Sequence, residues 1–264
     1  MNSSPRSPAD PENVELSVIV PAFDEVDRIG VSVTRVLAFL DSRPYRSELI
    51  VVLDGGRPGS AHAIEAAAEP RGRCSQSNGR ASLQVIDNGR NRGKGYSVRQ
   101  GVLASRGRYV AFVDADLSLP IEDADRFVAA LESGADVAIG SRALPESSEG
   151  GAPQRLRQSL SRLFNWSVQR LAVRGLRDTQ CGFKAFRGDR ARAVFQYQRI
   201  DGFAFDVEVL RIAQRRAYRV AEVPVACEYH PSSSVRKFRH GAGMLRDLIR
   251  IRWYDARGFY DADH

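Results

Sequence analysis

Asp114 and Asp116 stand two residues apart at the end of an apolar run, in the segment Arg-Tyr-Val-Ala-Phe-Val-Asp-Ala-Asp-Leu-Ser over 108–118. Side chains along a strand alternate faces, so both carboxylates are expected on the same side where the strand stops. Two hard oxygen donors so placed suit Mg²⁺ or Mn²⁺, and an ion held by one or two carboxylates completes its shell with water and phosphate oxygens. The same residues also describe an acidic turn capping a helix that begins near Pro120, since Asp and Ser favour turns and caps. Other chemistries find little support. Gly55, Gly56 and Gly59 follow a strand, but Pro58 interrupts them and the dinucleotide fingerprint is not met. The stretch from Gly89 to Lys94 has neither the spacing nor the Ser/Thr of a phosphate-binding P-loop. No serine sits in a nucleophile elbow, and His62, His230, His240 and His264 have no metal-ligand spacing.

The elements that must position these carboxylates alternate in type. Leu16–Val20, Glu48–Leu53, Ser82–Ile86, Tyr109–Val113 and Asp136–Ile139 read as strands. Val26–Leu40, Ser60–Ala68, Gly95–Ser105 and Ile121–Ser133 read as helices, the last with Ile121, Ala124, Val128 and Leu131 at helical spacing. Alternation with near-continuous apolar strands predicts an α/β fold, a mostly parallel sheet with helices on both faces. Ligands of such sheets bind outside the carboxyl ends of the strands, where Asp54, Asp87 and Asp114 lie. Beyond these, Gln154–Val173 reads as a basic amphipathic helix, Phe183–Phe186 as a short strand, Phe205–Arg215 as a helix and Arg219–Cys227 as a strand. A last basic helix begins near Phe238, with Met244, Leu245, Leu248 and Ile251 as its apolar stripe. Residues 71–79 form a polar insertion.

A chain of 264 residues suffices for one full core. We divide it into a disordered tail (1–13), a catalytic domain (14–232) and a C-terminal basic helical extension (233–264). No apolar run reaches the roughly 18 residues that span a bilayer, and the polar, Pro/Ser-rich start is unlike a signal peptide. Three scattered cysteines, Cys74, Cys181 and Cys227, point to a reducing, cytoplasmic setting. The net charge of +7 implies an anionic partner. The cations cluster in Arg155, Arg157, Arg162, Arg170 and Arg174, and again in Arg236, Lys237, Arg239, Arg246, Arg250 and Arg252. They are interleaved with leucines rather than the stacking aromatics of a single-strand nucleic-acid groove, which argues against nucleic acid. Basic amphipathic helices can instead lie on an anionic membrane surface, a peripheral attachment.

The segments Pro21-Ala-Phe-Asp-Glu25, Asp54-Gly-Gly56, Asn91-Arg-Gly-Lys-Gly95 and Asp114-Ala-Asp116 follow successive strands. After them come Asp178-Thr-Gln-Cys-Gly-Phe-Lys184, Phe203-Ala-Phe-Asp-Val-Glu-Val209, Glu222-Val-Pro-Val225 and Met244-Leu-Arg-Asp-Leu248. In this order the set, from about Leu16 to Tyr254, resembles the inverting family 2 glycosyltransferases with the GT-A fold, and within them the polyprenyl-phosphate (dolichyl-phosphate) glucosyltransferase branch. Two positions depart from that pattern: Leu53 replaces the first of the usual paired aspartates, and Ser234 stands where the branch tends to carry Lys.

The resemblance implies a uridine site shaped by Pro21, Phe23, Glu25 and Asp54, with Lys94 near base or phosphate. It implies Asp114 at ribose or metal and Asp116 on the metal, which would neutralise the leaving diphosphate. Arg157, Ser161 and Asn165 lie at i, i+4 and i+8, on one helical face. They match the helix that grips a lipid phosphate, with Arg142 as a second anchor and arginine's forked donors suited to phosphate. The expected activity is metal-dependent transfer of a hexose, glucose above all, from a UDP-sugar to a polyprenyl phosphate. Transfer to a soluble hydroxyl acceptor is the alternative, and it would need a base, for which Asp178 is the candidate. A catalytically dead basic module binding nucleic acid or a lipid surface is the third reading.

Overall fold

A computed structural model describes residues 13–56, 59–73, 81–144, 173, 175–226 and 241–261. The described strands are β1 (Leu16–Ala22), β2 (Ser47–Leu53), β3 (Ala81–Asp87), β4 (Tyr109–Phe112), β5 (Val137–Ser141), β6 (Lys184–Arg187) and β7 (Val220–Pro224). The helices are α1 (Val26–Asp41), α2 (Ser60–Arg73), α3 (Lys94–Ala104), a 3₁₀ turn (Ile121–Asp123) running into α4 (Ala124–Glu132), α5 (Gly188–Phe195), α6 (Phe205–Arg215) and α7 (Gly241–Ala256). The strands form one sheet in the order β3-β2-β1-β4-β6-β5-β7. All pairings are parallel except those of β6, which runs antiparallel to both β4 and β5.

The strands are apolar on both faces because both are covered. In β1, Leu16, Val18 and Val20 pack with Val33 and Leu37 of α1, Ile64 of α2 and Phe127 and Leu131 of α4. Ile19, one residue out of phase, belongs to the opposite layer with Ile50, Phe112, Val98 of α3, Val194 of α5, Leu210 of α6 and Leu248 of α7. Each fully buried side chain of this kind contributes about 1.5–3 kcal/mol, so the two layers fix the sheet in place. The antiparallel β6 matters most for the site. Its register sets Lys184 opposite Phe112, which brings the turn before it, with Gly182 and Phe183, to the carboxyl end of β4.

The expected tail and the basic helix 154–173 fall outside the described residues, except Asn13 and Val173, as does the proposed boundary at 232. The stripe expected on the last helix is corrected. Leu248 and Ile251 are buried, but Leu245 is 49% exposed, because the helix is rotated so that a different row faces outward.

Candidate active site

The strand ends supply the site. β4 stops at Phe112, so Asp114 and Asp116 are carried by a turn and not by the strand itself. Strand alternation, the premise for placing them together, therefore does not extend to these two residues. Leu117 takes a left-handed φ of 45° and its N–H donates to the Asp114 carbonyl at 3.0 Å, closing the turn. A non-glycine residue in that region carries backbone strain, a feature that concentrates at functional sites. Val113, Ala115, Leu117 and Leu119 are buried while Asp114, Asp116 and Ser118 remain partly open. The buried Ser32 hydroxyl of α1 donates to the Ala115 carbonyl at 2.6 Å and pins the turn from beneath. Asp116 Oδ1 accepts the Ser118 N–H at 3.1 Å. Its Oδ2 has no partner among the described residues.

Lys94, the first residue of α3, places its ammonium 2.6 Å from Asp114 Oδ1 and 5.7 Å from the centre of the Phe205 ring. Burial alone would lower the lysine's pKa, but the charges of Asp114, Asp206 and Asp116 outweigh it and hold the pKa above its ordinary value. Asp206 is itself paired with the fully buried Lys184 at 2.6 Å, whose ammonium also donates to the Cys181 carbonyl at 2.7 Å. From Asp114 inward the charges alternate through Lys94 and Asp206 to Lys184, with Asp116 as a second carboxylate at the open end. Lys184 and Asp206 both fall within family motifs of the sequence, but nothing local marks them as partners.

Asp54 is more engaged than the sequence suggests. Its carboxylate accepts the N–H groups of Arg92 and Gly93 at 2.9 and 2.8 Å and the Asn88 amide at 2.9 Å, so it organises the loop that leads into Lys94. Gly93 admits this loop only because it has no side chain: its φ is 104°, and a Cβ there would press on the Asp201 backbone. Phe23 is 44% exposed at the end of β1, with Pro21 and Glu25 partly open on either side. Pro21, Phe23, Glu25, Asp54, Lys94, Asp114 and Asp116 therefore all lie at the carboxyl ends of β1, β2 and β4 or on the loop entering α3.

Asp178 is clamped by Arg142. The guanidinium donates to both carboxylate oxygens, at 2.7 and 3.0 Å, and the Arg142 backbone N–H adds a third bond at 3.1 Å. Burial would raise the Asp178 pKa, but the Arg142 hydrogen bonds and charge override it and hold the carboxyl below the usual range. A carboxylate so stabilised is a weak proton acceptor, which disfavours it as a general base. Arg157, Ser161 and Asn165 lie outside the described residues.

A pair of carboxylates fits a cation that is shared with phosphate oxygens, and the free oxygen of Asp116 faces that role. Among the described residues no group of three or more His, Cys, Asp or Glu forms a self-sufficient metal cage.

The family model of Glycosyl transferase family 2 matches residues 17–195. The chain belongs to glycosyl transferase family 2. Among curated proteins, the dolichyl-phosphate beta-glucosyltransferase of Drosophila melanogaster is 35% identical over 253 residues, covering 92% of this chain and 76% of that protein. The enzyme of the same name from Dictyostelium discoideum is 32% identical over 252 residues, covering 92% and 75%. Among solved structures, mannosyl-3-phosphoglycerate synthase from Rubrobacter xylanophilus superposes with a TM-score of 0.66 at 16% identity, covering 95% of this chain and 77% of that one. Glucosyl-3-phosphoglycerate synthase from Mycobacterium tuberculosis, solved with Mn²⁺, UDP-glucose and phosphoglyceric acid, superposes with a TM-score of 0.61 at 16% identity, covering 90% and 78%. The family 2 chain thus has the GT-A fold expected from its sequence.

Proposed function

We propose that this family 2 enzyme transfers glucose from UDP-glucose to the phosphate of a polyprenyl phosphate, with inversion at the sugar carbon. The observation that carries the reading is the match, over more than nine-tenths of the chain, to dolichyl-phosphate beta-glucosyltransferases at 32–35% identity. The site supports it. A phosphate oxygen of the acceptor forms a bond to the anomeric carbon as the bond from that carbon to UDP breaks and UDP departs. A phosphate monoester is already anionic at neutral pH, so the reaction needs no general base, in keeping with an Asp178 locked by Arg142.

Asp114 and Asp116 would hold Mg²⁺ or Mn²⁺, which when bound neutralises the departing diphosphate. A protein of the same fold has been solved with Mn²⁺ and UDP-glucose, which supports a divalent cation here. Pro21, Phe23, Glu25 and Asp54 would enclose the uridine, with Asp54 also ordering the 88–93 loop. Arg157, Ser161 and Asn165, with Arg142, would receive the acceptor phosphate. The protein's contribution is then to align donor and acceptor and to stabilise the leaving group.

A lipid acceptor calls for a membrane-facing surface, and α7 supports one. Leu245, Ile249 and Trp253 are 49%, 60% and 47% exposed at i, i+4 and i+8. Arg246, Arg250 and Arg252 flank them in solvent, whereas Asp247 and Asp255 turn inward, with side chains only 13% and 8% exposed. The outer face of the helix is therefore apolar with cationic edges, the pattern that seats in an anionic interface.

The direct test is radiolabelled UDP-glucose supplied with a short-chain polyprenyl phosphate or with 3-phosphoglycerate, in Mn²⁺. Lipid-linked product supports the reading, and product only on phosphoglycerate overturns it. For the surface, Ile249→Glu should weaken sedimentation with anionic vesicles while leaving transfer to a water-soluble short-chain acceptor unchanged. Equal vesicle binding by the variant would remove α7 from the account.

A further inference from the structure

Lys94 occupies an unusual place for a cation. It begins α3, where the helix dipole disfavours positive charge even though the Gly95 and Tyr96 N–H groups donate to the Asp201 carbonyl. The position is held by acidic neighbours, of which Asp206 is already neutralised by Lys184. Asp114 is left as the carboxylate the ammonium touches, at 2.6 Å, with 16% of the lysine side chain and 30% of the aspartate side chain exposed. Asp116 keeps one carboxylate oxygen open beside them. A bare divalent ion approaching this pair would meet an ammonium already seated on one of its two carboxylates.

We propose that Lys94 is a resident counter-ion for Asp114, which competes with the divalent cation until a nucleoside diphosphate arrives and takes over the ammonium. The inference rests on the reading of Asp114 and Asp116 as the donor's metal site. An incoming diphosphate brings the negative charge that both cations need. The ammonium would then move by a rotation of its side chain from carboxylate to phosphate, which would leave the Asp114 oxygen available to hold a divalent cation. The lysine thus repels the metal in the empty site and assists it in the loaded one. Metal and nucleotide are thereby coupled, and by linkage the coupling is the same in both directions. The Phe205 ring and the helix start limit how far the ammonium can swing, which keeps it within reach of both partners.

The test reads metal binding rather than turnover. The unbound Mn²⁺ signal in electron paramagnetic resonance is titrated with full-length protein, with and without UDP. In the wild type, UDP should tighten Mn²⁺ binding at least tenfold. Lys94→Met, which keeps an apolar stem against Phe205, should bind Mn²⁺ alone roughly tenfold more tightly than the wild type, since a nearby positive charge has gone. In that variant the gain from UDP should shrink. Lys94→Arg keeps the charge and should retain weak Mn²⁺ binding without nucleotide. A Lys94→Met protein that is folded by circular dichroism yet binds Mn²⁺ alone no more tightly than the wild type overturns the proposal while leaving the donor site standing. If Asp116→Asn binds Mn²⁺ with UDP as well as the wild type does, the metal-site reading and this inference both fall.

Discussion

Gly182 offers a sharp probe of the site because it lies behind Asp114 without taking part in the chemistry. Its φ lies outside the left-handed region, so alanine meets no backbone penalty there. A Cβ at this position would sit 2.8 Å from Asp114 Cγ and closer still to Oδ2. Ordinary contact begins at about 3.4 Å, so in Gly182→Ala the carboxylate must retreat by more than half an ångström. Retreat strains the 2.6 Å pair with Lys94 and the turn that Leu117 closes. Asp114 is partly exposed, and its side chain can rotate into the opening. The fold should therefore survive, with a melting temperature within a few degrees of the wild type. A misplacement approaching 1 Å at a catalytic group costs on the order of 100-fold in rate, or about 2.7 kcal/mol of transition-state stabilisation. Transfer measured with UDP-glucose should fall by that order, together with UDP-dependent Mn²⁺ binding. A folded Gly182→Ala enzyme with undiminished kcat/KM would falsify the placement of Asp114 in the reaction.

Asp116→Asn should abolish transfer while leaving the thermal melt nearly unchanged, because Asp116 holds only the Ser118 N–H among the described residues. Arg142→Ala strips the buried Asp178 of its guanidinium partner and should cost about 1.5–3 kcal/mol of stability at neutral pH. Because the Asp178 pKa is depressed in the folded state, that contribution is present above the ordinary carboxylate range and lost as pH falls through the folded value. Acid denaturation followed by fluorescence should thus begin at higher pH in the variant. Glu208 behaves in the opposite sense. Burial raises its pKa to about 7, although the N–H groups of Ile200 and Arg199 and the Tyr260 hydroxyl oppose this. Its stabilising share is therefore complete below the ordinary value of 4.5 and is lost as pH rises through about 7. Glu208→Gln should flatten the fall of melting temperature across that window, and an unchanged slope would place the titration elsewhere.

The order of strands and helices was readable in the sequence because periodicity is a local property. β1, β2, α1, α4 and α6 were bounded to within a few residues by their apolar spacing. The family was readable too, since its motifs are contiguous and their order is preserved. What the chain alone did not reveal depends on register between distant segments. The antiparallel course of β6, and with it the approach of Gly182 to Asp114, follows from a sheet pairing across about seventy residues. A charged side chain likewise carries no mark of its partner. Arg142 also grips Asp178, 36 positions away, a pairing that spacing alone does not announce. Lys94 and Asp114 were both expected at the donor, but their 2.6 Å pairing was not. The outward row of α7 was hidden for a related reason. The helix carries apolar residues on more than one face, and only packing against the sheet decides that Leu248 and Ile251 go inside while Leu245, Ile249 and Trp253 stay out. Residue types and spacing thus determined which chemistry the chain can perform, whereas the choice of partner for each charge was made by the long-range contacts that close the fold.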